Sequence, residues 1–363
     1  MPKGSPLYSV FASQGARFLT RYGRELPEQV SGLEDEYRAA GETVIAADRS
    51  HRGRIRVLGR DAIRFLQNML SNDVRSLAPG AGVPATFLTR KGTLVSDLIA
   101  YRMEEGAILE TEVHRVVPLQ EALSRYIVSE DVTLADATDG EALISLEGPC
   151  SGELLSRLSE EAPPELRPYH FVTTTLRAAG GASARVSAVS HGPGPGFDMA
   201  ITPEQAVGVL ERIIEVGAPL GLRLAGHLTL EVRRVEAGIP LFGVDMDESR
   251  LPFEAGLEKA ISFDKGCYVG QEYVARLAHR GHLNRKLVGL HLEGESVPSP
   301  GSEVLGQSRS VGRVTSAVYS PTLGHPIALG YLHRDFLEPG TEVTVHVEDR
   351  ELAARVAELP FLH

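Results

Sequence analysis

Cysteine is nearly absent: the 363-residue chain has two, Cys150 and Cys267. Two thiols so far apart cannot form a disulfide framework, and the chain lacks the four thiolates that normally hold an iron–sulfur cluster. A reducing cytoplasm is the expected setting. Long hydrophobic runs are missing too, with no stretch near the roughly 18 apolar residues needed to span a bilayer. The opening MPKGSPLYSVFASQGARFL has no compact apolar segment with a small-residue cleavage site, so it does not read as a secretory signal. Positive charge is in deficit. With 37 basic against 48 acidic residues and a net charge of −11, the chain lacks the cationic surface that displaces counterions from phosphates. Arg276, Arg280, Arg285 and Lys286 fall close together, but four such bases read as an ordinary solvated face. Neither nucleic acid nor membrane is an expected partner.

What is present is the composition of a globular protein, 42% hydrophobic and 23% charged. The length exceeds one ordinary core, so two or three domains are expected. RIRVLG (54–59) alternates like a strand and runs into DAIRFLQNML, whose apolar spacing is helical. TLVSDLIAYRM (93–103), AILETEV (107–113), ALISLEG (142–148) and a stretch near 168–176 read as strands; helices are expected near 117–126, 151–159 and 203–217. Strands and helices mix without a regular βαβ repeat, which favours an α+β fold. After Arg285, short alternating strands separated by VPSPG, SPTLGHP and EPG suggest a small antiparallel barrel or sandwich. The expected organisation is residues 1–285 as two α+β lobes and 286–363 as the β domain.

Five places carry chemistry-bearing residues. Period-two alternation puts Asp97, Ile99 and Tyr101 on one face of their strand, a possible floor for a flat polar heterocycle; the alternative is an edge strand with its polar face in water. Glu236 ends a helical stretch before Gly238–Ile239–Pro240, where a carboxylate could accept paired N–H donors or simply sit in solvent. DMDE (245–248) lacks the glycine and final glutamate of a calcium loop and reads as a solvated turn. HRGH (279–282) has two histidines with no placed third ligand, so no metal site is expected.

The stretch DKGCYVGQE (264–272) does not have the pattern of a core segment. Gly266 permits a turn, and a helix is expected to start within Val269–Val274. A cation at Lys265 and a following helix start both favour thiolate at Cys267; the alternative is a buried inert thiol. Cys150, after Gly148–Pro149, reads as structural.

KGCYVGQE (265–272) followed by ARLAHRG (275–281) resembles the signature of the YgfZ family, folate-binding proteins related to the T-protein (aminomethyltransferase) of the glycine cleavage system. SPLYSVF, DRSHRGRIRVLG, TLVSDLIAYR, LEGP, RVEAGIPLFGVDMDE and VGRVTSAVYSP are similar to family segments in family order, and these are shared with the transferases. The resemblance implies α+β lobes in a ring around a central tetrahydrofolate hole, with a C-terminal antiparallel β-barrel. It implies that Asp97 assists one-carbon transfer, that Glu236 grips the pterin, that Lys265 serves the folate tail, and that Ile99 and Tyr101 line the pocket. Cys267 would act on iron–sulfur proteins or their assembly factors. Where the transferases carry Tyr-Thr-Gly-Glu, this chain has SHGPGPGFD (190–198). The expected function is thus folate-dependent support of iron–sulfur protein assembly or repair; the alternative is aminomethyl or methyl transfer of the T-protein type.

Overall fold

The computed structural model describes residues 3–177, 181–280, 283–347 and 350–362. Two α+β lobes and a barrel account for most of them. In the first lobe, five antiparallel strands run in the order Gly82–Leu88, Leu94–Arg102, Ala107–Thr111, Gly53–Leu58, Thr133–Asp136. Helix Ala62–Met69 buries Ala62, Phe65, Leu66 and Met69, the i, i+3, i+4, i+7 stripe, and packs with helix Val116–Ser124 against this sheet.

The second lobe holds six strands in the order Phe171–Thr175, Ser183–Ser187, Gly196–Ile201, Ala142–Glu147, Ile45–Asp48, Arg223–Ala225. All neighbours are antiparallel except the last pair. Helices Ser151–Leu158 and Pro203–Gly217 close its core. Pro203 opens its helix, where a missing N–H costs nothing.

Strand Arg285–Leu292 pairs with both His325–His333 and Arg350–Ala357, which closes six antiparallel strands into a barrel. Closure leaves no strand edge free to recruit another chain. The barrel fills its interior with Val288, Leu290, Val314 and Leu332. Its outer face meets helix His227–Glu236 through Leu287, Leu329 and Val235.

The α+β expectation and the antiparallel C-terminal barrel hold, and the strands expected at 54–59, 93–103 and 142–148 appear as Gly53–Leu58, Leu94–Arg102 and Ala142–Glu147. The helix after Cys267 begins at Gln271, inside the expected 269–274. Gly270 sits at φ +84°, and a Cβ there would stand 2.6 Å from the Thr89 carbonyl, so the chain turns before the helix can start. The DMDE segment is a turn but is not fully solvated: Asp245 is buried. His282 and the His279 side chain lie outside the described residues, and among the described residues no cluster of three or more metal-ligating side chains occurs. No helix among them is long and apolar enough to cross a membrane.

Candidate functional site

Asp97 and Ile99 reach a cavity of about 250 Å³ whose walls come from both lobes and from helix His227–Glu236. The backbone at Asp97 is pinned because its carbonyl accepts from Ser96 Oγ at 2.8 Å and Thr111 Oγ1 at 2.7 Å. Its carboxylate has a buried Oδ1 with no hydrogen-bond partner. Burial pushes the Asp97 carboxyl above its ordinary range, while the Arg52 and Arg115 charges pull it back. A buried carboxyl that still has an open acceptor position can exchange a proton with a bound reactant.

The charged neighbours come from the loop after strand Ile45–Asp48. Arg52 sits between Glu110, at 3.5 Å, and Glu112. Burial, with help from Arg49 and Arg52, pushes His51 well below 6.5, so it is a neutral wall residue. On helix His227–Glu236, burial brings His227 down to about 4. Arg21 Nη1 lies 2.8 Å from His227 Nε2, and because a guanidinium can only donate, that nitrogen accepts.

The opposite wall carries His191, whose Nε2 lies 2.9 Å from Asp198 Oδ2. A carboxylate only accepts, so the proton is on Nε2. Burial alone would raise the Asp198 carboxyl, but the His191 charge and hydrogen bond, with Arg49 and Ser145, outweigh it and hold it at about 2. Asp198 Oδ1 is buried without a partner.

Arg234, also in the cavity wall, donates to Asp245 Oδ2 at 2.6 Å and to Ser316 of the barrel at 2.6 Å. Asp245 in turn accepts from Thr315 Oγ1 at 2.5 Å, Ser316 Oγ at 2.7 Å and the Leu241 amide at 2.9 Å. One buried carboxylate thus joins the cavity wall to the barrel.

Four residues picked out in the sequence lie elsewhere. Tyr101 shares the strand face of Asp97 but is fully buried, with Phe171 edge-on at 5.8 Å, and does not line the cavity. Glu236 is fully buried at the end of its helix, where Oε1 accepts from Tyr37 at 2.6 Å and from Ser320 at 2.5 Å. It faces the barrel, not the cavity. Lys265 donates to the carbonyls of Gln67, Leu70 and Asn72 at 2.6, 2.5 and 3.0 Å, satisfying the end of helix Ala62–Met69. Burial brings its ammonium down to about 8, against the pull of Asp73. Cys267 is exposed and does not line the cavity, whereas Cys150 packs against the six-stranded core.

Arg49, His51, Arg52, His191, Asp198 and Arg234 were not singled out from the sequence. All but Arg234 and Asp198 sit in loops, where no periodicity marks a side chain's direction. DRSHRG (48–53), a dense charged run between two strands, was the available signal.

Two α+β lobes that enclose a cavity lined by apolar and charged side chains, with a closed barrel docked on its wall, define a fold of known kind. Residues 7–265 match the family described as the GCVT N-terminal domain, and residues 285–362 match the glycine cleavage T-protein C-terminal barrel domain. The chain belongs to the glycine cleavage T-protein family. Among curated relatives, the aminomethyltransferase of Halothermothrix orenii is 31% identical over 360 residues, 99% of this chain and 100% of that protein. The aminomethyltransferase of Rubrobacter xylanophilus is 35% identical, covering 98% of this chain and 93% of its own. The crystal structure of glycine cleavage system aminomethyltransferase T from Bartonella henselae superposes with a TM-score of 0.90, covering 100% of this chain and 98% of that one. At 22% identity that likeness concerns the fold.

Proposed function

We propose that this chain is a tetrahydrofolate-dependent aminomethyltransferase. It would take an aminomethyl group from a lipoyl thiol on a carrier, pass the carbon to tetrahydrofolate, and release ammonia and the free thiol. The two protons lost from folate nitrogens then equal those gained by ammonia and thiol. The observation that carries the reading is Asp97: a burial-raised carboxyl with an unpartnered oxygen at a two-lobe cavity, in a chain related end to end to aminomethyltransferases.

The residues present suit a folate. Tetrahydrofolate supplies the nucleophilic nitrogens when bound. Ile99, Leu98 and Pro84 give one apolar wall for a flat ring, and His191 and Arg234 give polar contacts on others. Asp97 holds the proton that the departing amine needs, and its raised pKa keeps that proton available nearer neutral pH. Arg52, clamped by Glu110 and Glu112, steadies the carboxylate once the proton has gone.

The YgfZ-type reading, iron–sulfur protein assembly or repair, rests on the KGCYVGQE motif with its exposed Cys267. It stands second, because relatives named as aminomethyltransferases favour transfer.

Ammonia release from aminomethyl-lipoyl carrier in the presence of tetrahydrofolate tests the proposal. Asp97→Asn should lower turnover by about 10²-fold or more, the scale of a lost acid–base group, while folding is preserved. No ammonia above background from the unmodified protein would overturn the reading.

A further inference from the structure

On the barrel's outer face, away from the transfer cavity, lies a basin of about 460 Å³ lined by Arg250, Arg285, Arg309, Arg313, His333 and Tyr331, with no carboxylate among its lining residues. Strand register makes the cluster: Arg285 stands opposite His333, and Arg313 opposite Tyr331. Because side chains alternate, positions 331 and 333 fall on the same side, whereas the register shift between Val304 and Leu305 breaks the alternation between Arg309 and Arg313. Arg313 stands opposite Glu303 on its other side, yet four guanidinium groups gather at the basin in a chain whose net charge is −11.

The floor holds two unpartnered donors. Arg250 lies over the Tyr331 ring at 4.1 Å, yet its Nη1 is buried with no hydrogen-bond partner, and so is the Tyr331 hydroxyl. Leaving such groups unpaired is costly unless something else pairs them. Glu254 and Asp335, at the rim, pair with Arg285 at 3.5 Å and Arg309 at 3.9 Å. Arg250 and Arg313 make no ion pair among the described residues.

We propose that this basin is a second ligand site, which takes a small polyanion carrying two or more phosphate groups. Guanidinium forks match phosphate oxygens in pairs. One carboxylate would occupy a single fork, whereas four guanidinium groups suit several charges in a volume typical of small-molecule sites. The site is also wired to the strand that bears Asp97: the Arg250 carbonyl accepts from the Leu94 amide at 2.9 Å.

Calorimetry on the full chain with inorganic triphosphate tests this. The expected result is one site per chain, with affinity that falls as salt rises. Arg250→Gln combined with Arg313→Gln should weaken binding about tenfold or more, whereas Arg60→Gln, on the distant five-stranded lobe, should not change it. If the double variant fails to fold, Arg313→Gln alone, at an exposed strand position, should still weaken binding about threefold. No binding at millimolar triphosphate, or binding equal in all variants, would overturn the site. Tighter binding of an aspartate-rich peptide than of triphosphate would overturn the ligand class in favour of an acidic protein surface.

Discussion

Tyr37 and Glu236, on two different helices, meet in a 2.6 Å hydrogen bond, and Ser320 of the barrel donates to the same carboxylate oxygen. The junction between lobe and barrel turns on that oxygen. Glu236→Ala would leave the Ser320 hydroxyl without its acceptor and Tyr37 with only Thr322 Oγ1, at a cost of about 1–3 kcal/mol for a buried unsatisfied donor. The variant should melt lower while its tetrahydrofolate affinity stays within twofold or so, since Glu236 does not line the cavity. An unchanged melting temperature with a large loss of affinity would place the carboxylate in the folate site instead.

Asp198 gives a pH dependence of definite sign. Its folded pKa, about 2, lies below the ordinary 3.8, so folding favours the charged form. The stability it contributes is present above about pH 4 and is lost as pH falls through about 2. At about 1.4 kcal/mol per pKa unit, the contribution is on the order of 2 kcal/mol. Urea unfolding of Asp198→Asn between those limits should show a correspondingly shallower pH slope; an identical slope would mean that the His191 pairing carries no such linkage.

Lys265 fastens its loop onto helix Ala62–Met69. Lys265→Met keeps the length of the side chain but removes the donor shared by three carbonyls, and should destabilise the protein by about 1.5–3 kcal/mol, the range for hydrogen bonds to a charged group. Hydrogen exchange should rise first at the end of that helix. Exchange unchanged there would argue that the loop holds without its lysine.

Cys267 is exposed and Cys150 is partly covered by core residues, so brief iodoacetamide treatment should modify Cys267 first. Cys267→Ser should fold normally and transfer aminomethyl groups at the unmodified rate, because the thiol is outside the cavity. Failure of that variant to restore iron–sulfur enzyme activities in cells lacking the protein would tie the thiol to an assembly role; full restoration would show that the thiol has no part in one.

Much of the framework was readable in the residues. Period-two alternation found the strand Leu94–Arg102 and the face carrying Asp97 and Ile99. The same rule carried the face one step too far, to Tyr101, because Phe171 from the other lobe covers it, and no pattern within one strand encodes a neighbour 70 residues away. Glu236 misled for a related reason. A glutamate at a helix end looks free in one dimension, and only the docking of the barrel brings Ser320 to it. His191 and Asp198 escaped notice because the loop SHGPGPG carries no period, and their partnership spans a turn whose shape the sequence leaves open.

Asp245 joins Arg234 of the cavity wall to Thr315 and Ser316 of the barrel in one buried hydrogen-bonded chain. In a saturation screen for lost activity, those two small hydroxyl residues would therefore score like pocket residues, although the barrel strand that bears them contributes no side chain to the pocket.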